Sequence, residues 1–521
     1  MQTKQACNDG VVADTSDQER QIDVLVYKRY ILDYEEVKII EPEFWLNESE
    51  YELLYFYVWN TLHHQSRCSE KSFLFDFSEH YSNFAKIFLC MKRKITAALE
   101  ARQNREDRKP LIINGARQVG KTYILEQYGR ENFDNVVYLN MEIEGVLRNF
   151  LDAELEPRKI IQFVEARKGQ RITSGKTLIF FDEIQACERA LTALKYFCEQ
   201  TPDYHVVAAG SLLGVAVNRE KYSFPVGKVD EMNMYPLDFE EFLWAMNRET
   251  LAEEIKMHFA ENTPMPEALH QTALELYRQY FITGGMPAAV AKFIETQSYL
   301  EVQAIQNKIL NEYIADMAKY ADAPTSVKIR ACYNSIPAQL AKENTKFQYK
   351  VVRRGGTATI FGEAIEWLNL AGITLKCQRL EHGFIPINAY ADLINFKLYM
   401  GDTGILTLRS EMPLQTILST VDEDNTYLGA MTDNYVAQCF AAKSYNLYYW
   451  ISEGKAEVDF VLQIDGKAVP IEVKKGRRNR SKSLGVFAEK YKSNCAIRIS
   501  KKNFGFENGI KSVPLYAVFC I

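Results

Sequence analysis

Two groups of residues in this 521-residue chain have types and spacing that could do chemistry. The first is Gly115-Ala116-Arg117-Gln118-Val119-Gly120-Lys121-Thr122, which fits G-x-x-x-x-G-K-[ST]. Glycines let a backbone wrap closely round phosphates, so that its N–H groups point inward. A helix opening at Lys121 adds its positive end. The pattern sets Lys121 on the β- and γ-phosphates and the Thr122 hydroxyl on Mg²⁺. Sixty-one residues after Lys121, the apolar run Leu178-Ile-Phe-Phe ends in Asp182-Glu183. Asp182 suits a Mg²⁺ held through its water shell, and Glu183 suits the orienting and polarising of an attacking water. A further apolar run closes on Ala209-Gly210-Ser211 and sets a hydroxyl beside the γ-phosphate, with a plain turn residue as the alternative. Lys228 is the candidate for a cation supplied in trans, with a solvated lysine as the alternative. The expected cofactors are therefore ATP and Mg²⁺.

The second group lies near the C-terminal end. Asp459 precedes Glu472-Val-Lys474 by 13 residues, a spacing similar to the D…(D/E)-x-K core of metal-dependent nucleases. On a hairpin turning at Gly466, Glu472 and Lys474 share one strand face, because alternate strand residues point the same way. Asp459 and Glu472 are then candidate metal ligands, and Lys474 a candidate to lower the pKa of an attacking water or steady phosphate charge. Asp433 stands where such nucleases add an acid from the preceding helix, but its side chain is short for that task. A hairpin with ordinary surface charges is the alternative, and so is a binding module that keeps the fold and does not cut. The run from Lys474 to Lys482 carries six cations and no acid, which suits a salt-dependent grip on a phosphate backbone or a solvated loop.

These residues need elements to hold them. Leu111-Ile-Ile-Asn, Val136 to Asn140, Thr177 to Asp182 and His205 to Gly210 read as strands, with helical segments between. Apolar runs separated by helices predict a parallel sheet covered on both faces. Residues 246–325 read as helices. Residues 326–396 hold two helical patterns and a Gly355–Gly356 break, which fit a helix-turn-helix with a wing. Glu363 and Glu366 make its second helix acidic, which favours a structural or protein-contact role over base reading. From Lys397 strands return.

Composition bounds the function class. Hydrophobic residues at 47 % and charged residues at 25 % match ordinary globular chains. No apolar run approaches the roughly 18 residues of a membrane span, and Met1 to Gly10 lacks the pattern of a signal peptide. Ten cysteines run from Cys7 to Cys520 without a Cys-x-x-Cys pair, so reduced thiols and a cytoplasmic location are expected. The net charge is −6, yet residues 426–521 hold 15 Lys/Arg against 8 Asp/Glu. A basic end on an acidic chain is expected where one region meets phosphates, so DNA is the expected partner there. Residues 1–90 lack a clear period and read as an extension of uncertain order. Met91 opens a helical pattern and is a second candidate start.

From about Met91 onward the chain resembles prokaryotic AAA+ ATPases that end in domain of unknown function 4143. The resemblance rests on the phosphate loop and on Phe181-Asp-Glu-Ile-Gln185, Gly210-Ser-Leu-Leu-Gly214, Tyr235-Pro-Leu-Asp-Phe-Glu-Glu-Phe-Leu243, Gly284-Gly-Met-Pro287, Phe396 to Gly404 and Glu457-Val-Asp-Phe-Val461. It implies an α/β fold: a P-loop AAA+ parallel-sheet core (91–245), a helical lid (246–325), a winged-helix-like section (326–396) and a restriction-endonuclease-like α/β end (397–521). The function expected is ATP hydrolysis that drives or gates a C-terminal DNA-directed module. Two rivals remain open: a full ATP-dependent nuclease, and a non-catalytic nucleotide switch whose C-terminal fold only docks a protein or nucleic acid. A homo-oligomer is compatible with either. A helicase is disfavoured, since its Asp-Glu motif lies further from the loop, and a small-molecule kinase leaves the basic end unexplained.

Overall fold

The computed structural model describes residues 91–211, 224–342, 345–419, 426–453, 456–474 and 482–521. The expected N-terminal extension over 1–90 and most of the basic run after Lys474 lie outside the described residues.

Helix α1 (Lys94–Gln103) leads into strand β1 (Leu111–Asn114), which the phosphate loop joins to α2 (Lys121–Asn132). Next come β2 (Asn135–Asn140), α3 (Gly145–Ala153), α4 (Pro157–Lys168), β3 (Thr177–Asp182), α5 (Glu188–Gln200), β4 (His205–Gly210) and β5 (Asp230–Asn233). The five strands form one sheet in the order β2-β3-β4-β1-β5, and every pairing is parallel. All six residues of β3 are buried, as expected for a strand covered on both faces. Ile179 and Phe181 pack with Val137, Leu139 and Ala208 against Leu191, Leu194 and Phe197 of α5. Because β4 lies between β1 and β3, the C-terminal ends of these three strands bring the phosphate loop, Ser211 and Asp182–Glu183 to one edge of the sheet.

Helices α6 (Phe239–Ala245), α7 (Glu249–Glu261), α8 (Glu267–Thr283), α9 (Pro287–Thr296) and α10 (Tyr299–Lys319) follow. A capping box starts α6. Asp238 accepts from the Glu241 N–H at 2.9 Å, and Glu241 accepts from the Asp238 N–H at 3.1 Å, so two donors at the helix end are satisfied. Then come α11 (Ala323–Leu340), α12 (Tyr349–Val352), α13 (Ala358–Leu370), β6 (Thr374–Leu380), β7 (Ala391–Met400), α14 (Thr403–Arg409), α15 (Leu414–Leu418) and α16 (Thr426–Ala442). The chain continues through β8 (Tyr448–Ile451), β9 (Glu457–Val458), β10 (Phe460–Ile464), β11 (Lys467–Val473), α17 (Lys482–Tyr491), β12 (Ala496–Ser500), β13 (Gly505–Glu507) and β14 (Ile510–Pro514).

This last part forms two mixed sheets, β7-β6-β8-β9 and β10-β11-β12-β14-β13. Two expected boundaries therefore need correction. The one after residue 396 falls inside β7, and the one after 325 falls inside α11. The β6–β7 pair that stands where a wing was expected joins β8 in parallel, so it belongs to a sheet shared with the C-terminal part.

A buried chain of hydrogen bonds ties these regions together. The Tyr280 hydroxyl donates to the Leu237 carbonyl at 2.6 Å, Gln438 donates to Tyr280 at 3.0 Å, and Thr403 donates to Gln438 at 2.7 Å. Asp402 accepts from the N–H groups of Gly285 at 2.7 Å and Ile405 at 2.9 Å. A Cβ at position 285 would stand 2.0 Å from the Leu237 carbonyl oxygen, so only glycine fits. The C-terminal tail returns to the first helix: the Lys94 ammonium pairs with Asp238 and lies 5.5 Å from the Phe519 ring centroid. No helix among the described residues is long and apolar enough to cross a membrane.

Candidate functional site

The loop after β1 is built by steric necessity. Gly115 takes φ 151°, and a Cβ there would lie 2.2 Å from the Met234 carbonyl oxygen. Gly120, at φ 94°, is the N-cap of α2. The loop is held from outside. Buried Arg93 donates to the carbonyls of Val119 at 3.0 Å and Tyr235 at 2.6 Å and pairs with Glu241 at 3.1 Å. From α10, the Tyr313 hydroxyl donates to the Arg117 carbonyl at 3.1 Å, Asp316 pairs with Arg117 at 2.9 Å, and Glu312 accepts from Gln118 at 2.6 Å. Gly372 packs against the Ala116 backbone.

The buried Lys121 ammonium donates to the carbonyls of Gly115 and Ala116, both at 2.9 Å. Burial pushes its pKa down to about 8, against the pull of the Glu183 and Asp182 charges. The Thr122 hydroxyl donates to Asp182 Oδ2 at 2.9 Å, and the Tyr138 hydroxyl donates to the same oxygen at 2.9 Å. Glu183 follows in the left-handed region at φ 47° and accepts from Gln185 at 2.5 Å. Burial raises its pKa from the ordinary glutamate value, opposed by the Gln185 hydrogen bond and helped by the Asp182 charge. The Ser211 hydroxyl is buried without a hydrogen-bond partner among the described residues.

These residues fit a nucleotide with Mg²⁺. The glycine cradle admits no side chain, Lys121 is buried at its centre, and a hydroxyl and a carboxylate meet at one point. Lys228 stands elsewhere. It precedes β5 at the opposite end of the strand from the loop and pairs with Glu199 at 3.0 Å, so it does not serve its own phosphate loop.

At the C-terminal end, β10 and β11 form the expected antiparallel hairpin, with Asp465 and Gly466 at positive φ in the turn. Asp459 Oδ2 accepts from the Val473 N–H at 2.8 Å, which places the aspartate beside Glu472. Lys474 pairs with Glu472 Oε1, and the buried Glu472 Oε2 has no hydrogen-bond partner among the described residues. Lys397, 2 % exposed, pairs with Glu457 at 2.7 Å. Burial lowers its pKa, but the charges of Glu457, Asp459 and Asp433 outweigh it and raise the pKa overall. Among the described residues no three His, Cys, Asp or Glu side chains gather into a metal-holding group.

Local spacing could not show Tyr138, Arg93 or the α10 residues. Tyr138 lies 44 residues from Asp182 and Tyr313 lies 196 from Arg117. The Tyr235–Leu243 text bears on Arg93 alone: its Glu241 pairs with Arg93, and its Asp238 with the adjacent Lys94.

A parallel sheet in the order β2-β3-β4-β1-β5, a phosphate loop after β1 and an Asp-Glu pair closing β3 resemble a P-loop AAA+ core. Residues 107–243, which hold all of these features, match the family model of an AAA domain. Residues 274–415 match domain of unknown function 8612, and residues 428–518 match domain of unknown function 4143. No curated protein matches the chain. Similar solved structures include a Walker-type ATPase of Pyrococcus abyssi (13 % identity, 61 % of this chain and 95 % of that one, TM-score 0.39). The Aeropyrum pernix ORC2 protein is similar at 11 % identity over 65 % of this chain and 93 % of its own, with a TM-score of 0.30. A Thermotoga maritima RuvB variant is similar at 15 % identity over 62 % and 95 %, with a TM-score of 0.28. At TM-scores of this size nothing about the chemistry of this chain follows from them.

Proposed function

We propose that this chain binds and hydrolyses ATP, and that the nucleotide state gates a DNA-directed C-terminal module. The observation that carries the reading is the meeting of Thr122 with Asp182, with Glu183 beside them and Lys121 buried in the loop. Bound Mg²⁺ would supply neutralisation of phosphate charge, held by Thr122 and Asp182. Lys121 and the loop N–H groups, from Gly115 through Thr122, orient the phosphates. Glu183 accepts the proton of the attacking water, and Ser211 donates toward the terminal phosphate. Residues 246–325 act as the lid, and α10 carries its contacts onto Arg117 and Gln118. The basic balance of residues 426–521 supports DNA as the partner of the C-terminal end. Cutting there would rest on Asp459, Glu472 and Lys474.

One experiment separates the arms. Purified protein is incubated with supercoiled plasmid, Mg²⁺ or Mn²⁺, and ATP, beside Glu183→Gln and Asp459→Ala variants, and phosphate release and plasmid form are followed. Glu183→Gln is expected to keep nucleotide binding and lose about 100-fold or more in phosphate release. Equal release by that variant overturns the catalytic assignment. Nicking by wild type and not by Asp459→Ala makes the end a nuclease. Nicking by neither makes it a binding module worked by an ATP switch.

A further inference from the structure

In the proposed ATPase, Asp182 is the carboxylate assigned to Mg²⁺, and each of its oxygens accepts a hydrogen bond. Oδ1 accepts from the Glu183 N–H at 3.0 Å. Oδ2 accepts from two hydroxyls, Thr122 and Tyr138, both at 2.9 Å. Thr122 belongs to the phosphate loop, but Tyr138 comes from β2. In the parallel β2–β3 register Tyr138 stands opposite Phe180, and Asn140 opposite Asp182. Alternate strand residues point the same way, so these four share one face of the sheet.

The Tyr138 phenol is held on three sides. Its ring meets Phe180 edge-on, with centroids 5.3 Å apart. Its oxygen accepts from Asn140 Nδ2 at 3.4 Å. The Asn140 amide is itself oriented, because its Oδ1 accepts from the Glu142 N–H at 2.9 Å. With an N–H directed at the phenol oxygen, the hydroxyl proton is left for Asp182. Thr122 has two tasks at this point, its oxygen for the ion and its proton for Asp182. Tyr138 has one, to hold the carboxylate. Carboxylates that serve a metal are in turn hydrogen-bonded, and those outer partners tune the affinity of the site.

We propose that Tyr138 is a positioning residue for the Mg²⁺ site: its hydroxyl fixes Asp182 in the orientation that serves the ion, without itself touching nucleotide or metal. The inference rests on the ATP-hydrolysing reading and extends it from the phosphate loop to β2. It separates the two hydroxyls on Asp182 by role, Thr122 as ligand and Tyr138 as support.

The test uses the full chain carrying Tyr138→Phe, which keeps the ring against Phe180 and removes the hydroxyl alone. Affinity for a fluorescent non-hydrolysable ATP analogue is measured in EDTA and then across a Mg²⁺ titration, beside thermal unfolding without either ligand. The variant is expected to match wild type in EDTA and in thermal unfolding, and to need about tenfold more Mg²⁺ for half its effect. Excess Mg²⁺ is expected to restore phosphate release from ATP. An unchanged Mg²⁺ midpoint overturns the positioning role and leaves the ATPase reading standing. An equal loss of affinity with and without Mg²⁺ also overturns it, since the hydroxyl then supports the loop and not the metal site. Wild-type affinity that ignores Mg²⁺ overturns it as well. Wild type that binds no nucleotide under either condition removes the ATPase reading together with the inference.

Discussion

At the scale of residues, the nucleotide site depends on a lysine whose charge is in question. Lys121 is buried with a pKa of about 8, so the protein without nucleotide holds its proton less firmly than an exposed lysine does. Bound phosphates favour the protonated form. Affinity is therefore full below pH 8 and falls as pH rises above it, by as much as tenfold per pH unit until the pKa of the bound form is reached. A titration of ADP affinity from pH 7 to pH 9.5 checks this, and a flat profile would show that Lys121 stays protonated throughout. The loop residues could be read from the sequence because their chemistry needs glycine and lysine at fixed local offsets. The residues that hold the loop could not. Arg93 reaches Val119 and Asp316 reaches Arg117 only through the folded chain.

At the scale of elements, the junction of residues 235–239, 284–287 and 401–404 is the feature that joins the halves. Its carboxylate is Asp402, buried, with a pKa raised to about 6 by burial against hydrogen bonds from Gly285, Ile405 and Gly404. The folded state holds this proton more tightly than the unfolded chain does. The group's contribution to stability is thus fully present below pH 4 and is lost as pH rises through about 6, by about 3 kcal/mol. Asp402→Asn does not titrate and lowers absolute stability, because an amide cannot accept from Gly285 and Ile405 together. The expected outcome is a smaller fall in unfolding free energy between pH 4.5 and pH 7 for the variant than for wild type, measured in urea. The strands β1 to β4 were legible as apolar runs. The edge strand β5 was not, because Asp230-Glu-Met-Asn offers neither an apolar run nor alternation. The β6–β8 pairing was equally hidden, since partners 70 residues apart leave no periodic trace.

At the scale of the molecule, the described residues form one compact unit. The packing between residues 246–325 and the C-terminal end is direct: His270 bonds the Tyr516 hydroxyl at 2.8 Å, Asn503 donates to the Met265 carbonyl at 2.8 Å, and Lys511 donates to the Phe259 carbonyl at 2.7 Å. A chain divided between residues 396 and 397 is therefore expected to leave two pieces that do not fold alone, because the cut severs β7. The undivided chain is expected to unfold in one transition by circular dichroism and by tryptophan fluorescence. Two separated transitions would show that the halves are independent. The tail that packs against Lys94 gives this unity a mechanical side. Lys94 is flanked by Arg93, which grips the phosphate loop, and Lys443 holds the carbonyls of Phe519 and Ile521. A load that draws the tail outward acts on α1 and, through one peptide bond, on the clamp at Val119. ATP affinity would then report tension at the far end of the chain.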